Sequence, residues 1–196
     1  MKKSAIKISD IPSSVVIEET IKKHKYQKRY SRVLKSTIFS LITVAAFAIL
    51  IATLWMPVLQ IYGASMTPTI DNNEIVISFK TKKLNTGDIV AFYHGNKLLV
   101  KRCIAGPAEW VNIDPEGNVS VNGQILEEPY ISEKNIGTCD ITLPYQVPED
   151  KYFVMGDHRE TSIDSRTTTI GCISEDEIVG KIVFRVCPLN KIGVIK

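Results

Sequence analysis

The feature that most limits what this chain can become is a run of 35 residues, Ser36 to Ile70, without a single charged side chain. Its most apolar part, Ile38 to Leu59, would extend about 33 Å as an α-helix, which matches the hydrocarbon core of a bilayer. A cleavable secretory leader carries a shorter apolar region, about 7 to 15 residues, followed by a small-residue cleavage site. Here the run is longer and closes on Trp55, Met56 and Pro57, so it reads as a permanent anchor. The alternative is the core helix of a soluble protein, but such helices are rarely apolar on every face for this length.

Charge divides the chain at the same place. The first 35 residues hold ten Lys or Arg against Asp10, Glu18 and Glu19, whereas the remainder carries 14 basic and 18 acidic residues. Nucleic-acid binders show their basic stripe on the folded part, so no nucleic-acid partner is expected. Lys22, Lys23, Lys25, Lys28, Arg29, Arg32 and Lys35 crowd one flank of the apolar run, and such a flank stays in the cytoplasm. The expected organisation is a basic cytoplasmic tail (1–35), a single-pass transmembrane anchor (36–62) in the plasma membrane, and an extracytoplasmic domain (63–196). The lipid bilayer is then one partner of the chain.

The outward part is short on helical periodicity and rich in brief β-type runs between turn residues, which predicts a mostly β, antiparallel domain. Candidate strands are Glu74–Phe79, a hairpin of Asp88–Tyr93 and Leu98–Ile104, then Trp110–Ile113, Val119–Val121, Gln124–Leu126, Lys151–Met155 and Lys181–Val186. Asn122-Gly123 is the strongest hairpin signal. Ser174 with Glu177 has the spacing of a capping box and predicts one short helical turn. All four cysteines, Cys103, Cys139, Cys172 and Cys187, fall in the outward part, where disulfides are permitted. Small buried thiols are the commoner outcome, and none has the spacing of a zinc ligand. No metal or cofactor is expected.

Ser65 lies in Gly-Ala-Ser-Met-Thr-Pro-Thr, a few residues beyond the anchor. Most serines before turns only satisfy local backbone groups, and a serine hydroxyl needs a base before it becomes a nucleophile. Strand alternation supplies a candidate base. Leu99, Lys101 and Cys103 would share one face and Leu98, Val100, Arg102 and Ile104 the other. Among apolar neighbours, desolvation lowers a lysine's pKa and lets it act near neutrality. On the pattern alone, a lysine pointing to solvent is the commoner outcome. His94 in a predicted turn and His24 in the tail offer no competing base.

Together these segments resemble a known family. Ser65-Met66-Thr67-Pro68-Thr69 is similar to the nucleophile box of type I signal peptidases, and Lys101-Arg102 to their general-base box. Gly156-Asp157-His158-Arg159-Glu160-Thr161-Ser162-Ile163-Asp164-Ser165-Arg166 is similar to their third signature. The short separation of the last two boxes resembles the compact, Gram-positive-like members. The resemblance implies one N-terminal transmembrane helix followed by an antiparallel β-sheet catalytic domain, a serine endopeptidase that removes signal peptides from exported preproteins after small residues of Ala-x-Ala type. It implies Ser65 as nucleophile, Lys101 as neutral general base, Ser162 as the hydroxyl orienting that amine, and Asp164 with Arg166 as a structural ion pair. The Ser65 backbone N–H would be an oxyanion donor. Some members add a serine two positions earlier, where this chain has Gly63, as other members do. Met66, Leu99 and Val100 are the implied walls of the substrate pocket. His158 replaces the usual Asn and is expected to pack the loop rather than join the chemistry.

Two rivals remain. Self-cleaving repressor proteases use a similar serine and lysine but carry a DNA-binding domain where this chain has a basic tail and an anchor. A membrane-tethered β module for assembly or adhesion would need only the anchor and the sheet, and leaves the three boxes unexplained.

Overall fold

Pro57 lacks the backbone N–H that a continuing helix requires, and the chain changes character just before it. In the computed structural model, which describes residues 13–195, a single helix α1 (Ser14–Trp55) precedes the strands. Among the described residues the chain divides into two compact units, one up to Leu50 and one from Ile51 onward. None of the residues of α1 is buried, and its most apolar 18-residue window has a mean hydropathy of 2.4, so it qualifies as a membrane span by length and composition. The basic flank from Ser14 to Lys35 is helical and continuous with the apolar run, while the tail's first twelve residues lie outside the described ones. One expectation changes: at the other end the helix stops at Trp55, and Val58 and Leu59, expected in it, belong to a strand.

That strand, β1 (Val58–Gln60), opens an eight-stranded antiparallel sheet. Its other members are β2 (Ile75–Phe79), β3 (Ile89–His94), β4 (Lys97–Ala105), β9 (Lys151–Met155), β10 (Ile173–Ser174), β11 (Ile178–Cys187) and β12 (Gly193–Val194). The order is β1-β2-β11-β3-β4-β9-β10, with β12 added to β11. A four-stranded sheet is built from β5 (Trp110–Ile113), β6 (Val119–Val121), β7 (Gln124–Ile125) and β8 (Tyr145–Gln146), in the order β7-β6-β5-β8. The β6–β7 turn needs two residues at positive φ, and Asn122 (51°) and Gly123 (79°) supply them.

Three apolar clusters fill the sheet domain. Ile104, Phe153 and Met155 pack over the small sheet with Val111, Val119 and Val121. Phe92, Cys103, Val154 and Ile173 form a second cluster that Leu99 joins. Ile61, Met66, Ile70, Val76, Ala91 and Ile182 form a third, against which Val100 packs. The predicted alternation therefore sends Leu99 and Cys103 to one cluster and Val100 to another. Ser174 does bond Glu177, through its N–H (2.7 Å) and its hydroxyl (2.9 Å). These bonds close a turn between β10 and β11, not a helical turn, because strands claim the residues on both sides.

One irregularity of the large sheet shapes the site. β3 pairs along β4 from Lys97 to Arg102, whereas β9 meets β4 only from Arg102 onward. Among the described residues the stretch Lys97–Lys101 consequently has no strand partner on its second side and forms a free sheet edge.

Candidate active site

Ser65 sits in the loop between β1 and β2, held at its base by the Ile61 N–H on Glu74 O (2.9 Å) and the Asn73 N–H on Ile61 O (2.8 Å). Inside the loop the Thr67 N–H donates to Ala64 O and the Ile70 N–H to Met66 O, which seats the buried Met66 in the core beside the half-buried serine. Among the described residues nothing accepts the Ser65 N–H, so this donor is open. The Gly63 N–H is already given to Asn72 Oδ1 at 2.9 Å, and Gly63 has no hydroxyl to offer.

A groove of about 390 Å³ runs between this loop and the free edge of β4, and its walls include Ser65, Met66, Leu99, Val100 and Lys101. The five predicted residues thus meet in one place, joined by Ile61 and Tyr62 at the end of β1.

Lys101 is 4% exposed. Its Nζ donates to Ser162 Oγ at 3.0 Å, and the Ser162 hydroxyl in turn donates to Asp164 Oδ2 at 2.7 Å. The direction of this chain matters. With its proton spent on Asp164, Ser162 can only accept from the lysine, so the amine keeps its lone pair free. Burial pulls the Lys101 pKa down to about 8; the Asp164 charge opposes this and the Arg166 charge assists it. Burial alone would push the Asp164 carboxyl up. The two Arg166 hydrogen bonds at 2.8 Å, the Arg166 charge and the Gly156 N–H at 2.9 Å outweigh it and hold the carboxyl below its usual range.

Asp164 and Arg166 therefore form the predicted ion pair, but Asp164 also fixes the Ser162 hydroxyl, a link that the loop-holding reading lacked. Arg166 further donates to the carbonyls of Ile136, Arg159 and Ser162. His158 gives its backbone N–H to Ser65 O at 3.1 Å and its ring Nδ1 bonds the Thr161 hydroxyl, a loop-packing arrangement.

Sequence reasoning missed a second buried array. Arg102 reaches Asp157 with two bonds, at 2.9 and 2.7 Å, and stacks 3.8 Å above the Tyr130 ring. Thr69, four residues past Ser65, donates its hydroxyl to the same carboxylate. One carboxylate thereby ties the serine loop, β4 and the Gly156 loop together. Arg159 pairs with Glu128, also fully buried. The available signal was that Arg102 and Asp157 stand inside two of the quoted motifs.

The three segments meet closely at Gly156. A Cβ there would lie 2.5 Å from the Ser65 carbonyl oxygen and would also overlap the Ser162 side chain. Gly156→Ala should therefore displace either the serine loop or Ser162, and a displacement near 1 Å at reacting groups costs about 100-fold in rate. Turnover measurements with circular dichroism check this; parental turnover in a folded Gly156→Ala would show that the contact does not set the geometry. The cysteines are all unpaired, and burial raises the Cys103 thiol to about 12, which makes it inert.

Comparison with known proteins places these features. The family described as "Signal peptidase, peptidase S26" matches residues 34–187. The chain is 33% identical to signal peptidase I of Bacillus licheniformis over 175 residues, covering 81% of this chain and 93% of that one. It is 38% identical to signal peptidase IB of Staphylococcus aureus over 152 residues, covering 67% and 78%. A crystal structure of a signal peptidase I from Enterococcus faecalis is similar at a TM-score of 0.43 and 29% identity, covering 50% of this chain and 96% of that chain.

Proposed function

The chain belongs to the signal peptidase family, peptidase S26, and from that premise we propose that it is a membrane-anchored endopeptidase that removes signal peptides with a Ser65–Lys101 dyad. Residues 1–35 remain in the cytoplasm, the apolar helix crosses the plasma membrane once, and residues 63–196 work outside. The partners are the signal peptides of preproteins and the bilayer, not nucleic acid.

The observation that carries this reading is the buried chain Lys101–Ser162–Asp164 opening onto the groove that Ser65 lines. A substrate adds as an extended strand to the free edge of β4, where unpaired backbone groups give affinity without sequence preference. Met66, Leu99 and Val100 leave room for small side chains ahead of the cut. The neutral Lys101 amine takes the Ser65 proton as the hydroxyl attacks the scissile carbonyl. The resulting oxyanion meets the open Ser65 N–H where its charge develops. The lysine returns the proton to the leaving amine, and water, activated by the same amine, releases the acylated serine.

The chain length suits the substrate. A signal peptide is an apolar segment with its cleavage site just past its outer end, and only nine residues separate Trp55 from Ser65, a reach of at most about 35 Å. The test is to incubate the detergent-solubilised protein with a preprotein and locate the cut by mass spectrometry, with Ser65→Ala as control. A single cut after a small residue, absent from the control, is expected; an unchanged cut by Ser65→Ala removes the serine mechanism.

A further inference from the structure

The apolar groove reaches Ser65 from one side, but a polypeptide lying in it must continue beyond the cut. A second cavity, of about 260 Å³, adjoins the serine loop and has Thr67, Glu133, Asp157, His158, Arg159 and Glu160 among its walls. Thr67 follows Ser65 by two residues, and the His158 N–H holds the Ser65 carbonyl, so loop and cavity share a wall.

The two spaces differ in chemistry. Ile61, Met66, Leu99 and Val100 wall the groove, whereas the cavity is lined by charged and polar groups. Its two buried charges are already neutralised, Asp157 by Arg102 and Arg159 by Glu128. Glu133 and Glu160 are exposed, and among the described residues no cation pairs with either; the neighbouring Lys134 is turned to Asn118 Oδ1 at 2.6 Å. The cavity therefore carries an uncompensated negative potential next to the point of cleavage.

We propose that this cavity receives the first residues of the mature chain, and that Glu133 and Glu160 make the enzyme favour basic over acidic side chains there. The assignment rests on Ser65 being the nucleophile. An extended chain advances about 3.3 to 3.6 Å per residue, which brings the second and third residues after the cut to a cavity bordering the serine loop. Specificity then arises largely by repulsion, since an acidic residue meets two unpaired carboxylates.

The experiment uses the full-length protein in detergent and one preprotein carrying Lys, Gln or Glu at the second and third positions after the cut. For the parent enzyme kcat/KM should be about tenfold higher with Lys than with Glu at low salt, the size of a screened interaction with exposed carboxylates. The ratio should fall toward one at about 1 M salt. Within E133Q/E160Q it should approach one, and within E133K/E160K it should invert; each ratio is taken within one enzyme, so a general change in activity cancels. A parental ratio near one, or an undiminished preference for Lys in folded E133K/E160K, overturns the proposal. Unchanged cleavage of the Gln substrate by Ser65→Ala would instead remove the nucleophile assignment beneath it, and the proposal with it.

Discussion

Lys101→Arg is expected to lower kcat/KM by about a thousandfold or more while leaving the sheet domain folded, since a guanidinium stays charged at any usable pH and cannot accept the Ser65 proton. The parent should show an acidic limb in kcat/KM with a midpoint near 8, the value to which burial lowers Lys101, far below a free lysine at about 10.4. The same shift has a stability signature of defined sign. Below pH 8 the folded state holds a buried ammonium, a cost of about 3 kcal/mol relative to the unfolded chain. Between about 8 and about 10.4 the unfolded chain binds the extra proton, so stability rises with pH through that window. Lys101→Met should therefore melt higher than the parent at pH 7, with the difference vanishing above about pH 10.5. A pH series of melting curves and of kcat/KM checks both. Near-parental activity in folded Lys101→Arg would eliminate Lys101 as the base.

The parts of the fold legible in the sequence are those governed by local chemistry. Asn122-Gly123 announces its hairpin because few other residue pairs tolerate positive φ at two successive positions, and the hairpin of β3 and β4 is legible as two β-type runs flanking the turn at His94. The helix end was misjudged because apolarity does not distinguish helix from strand. Val58–Gln60 pairs with Ile75–Ile77, a contact that no local pattern reports. β8, β10 and β12 escaped for a related reason, being two-residue pairings made by the sheets rather than by propensity.

At the site, the motifs delivered Ser65, Lys101, Ser162 and the Asp164–Arg166 pair, but not the Arg102–Asp157 and Arg159–Glu128 pairs behind them. Arg102 and Arg159 are both buried, whereas a charged residue reads as exposed until its partner is known. Glu128, the partner of Arg159, lies 31 residues away from it. The free edge of β4 was equally invisible, because it depends on where β9 begins to pair.

Asp164→Asn should be the most damaging change outside the Ser65–Lys101 pair, through two separable effects. It leaves the Arg166 guanidinium buried without its counter-charge; breaking such a pair by removing one partner costs about 3 to 5 kcal/mol, which lowers Tm by about 10 °C in a domain of this size. It also frees Ser162. The hydroxyl that donates to Asp164 Oδ2 would meet an amide able to donate to it, and would turn its proton toward the Lys101 amine, occupying the lone pair needed for Ser65. Turnover should fall about 100-fold or more at temperatures where the variant is fully folded. The pH profile distinguishes this from damage to the loop alone. Asp164 raises the Lys101 pKa and Arg166 lowers it, so Asp164→Asn should move the acidic limb of kcat/KM to lower pH. Arg166→Met, which leaves the carboxylate in place, should move it to higher pH. A purely structural pair predicts lowered melting temperatures in both variants with an unmoved limb. If both limbs coincide with the parent's, Asp164 and Arg166 hold the loop and nothing more, and the orientation of Ser162 must come from elsewhere.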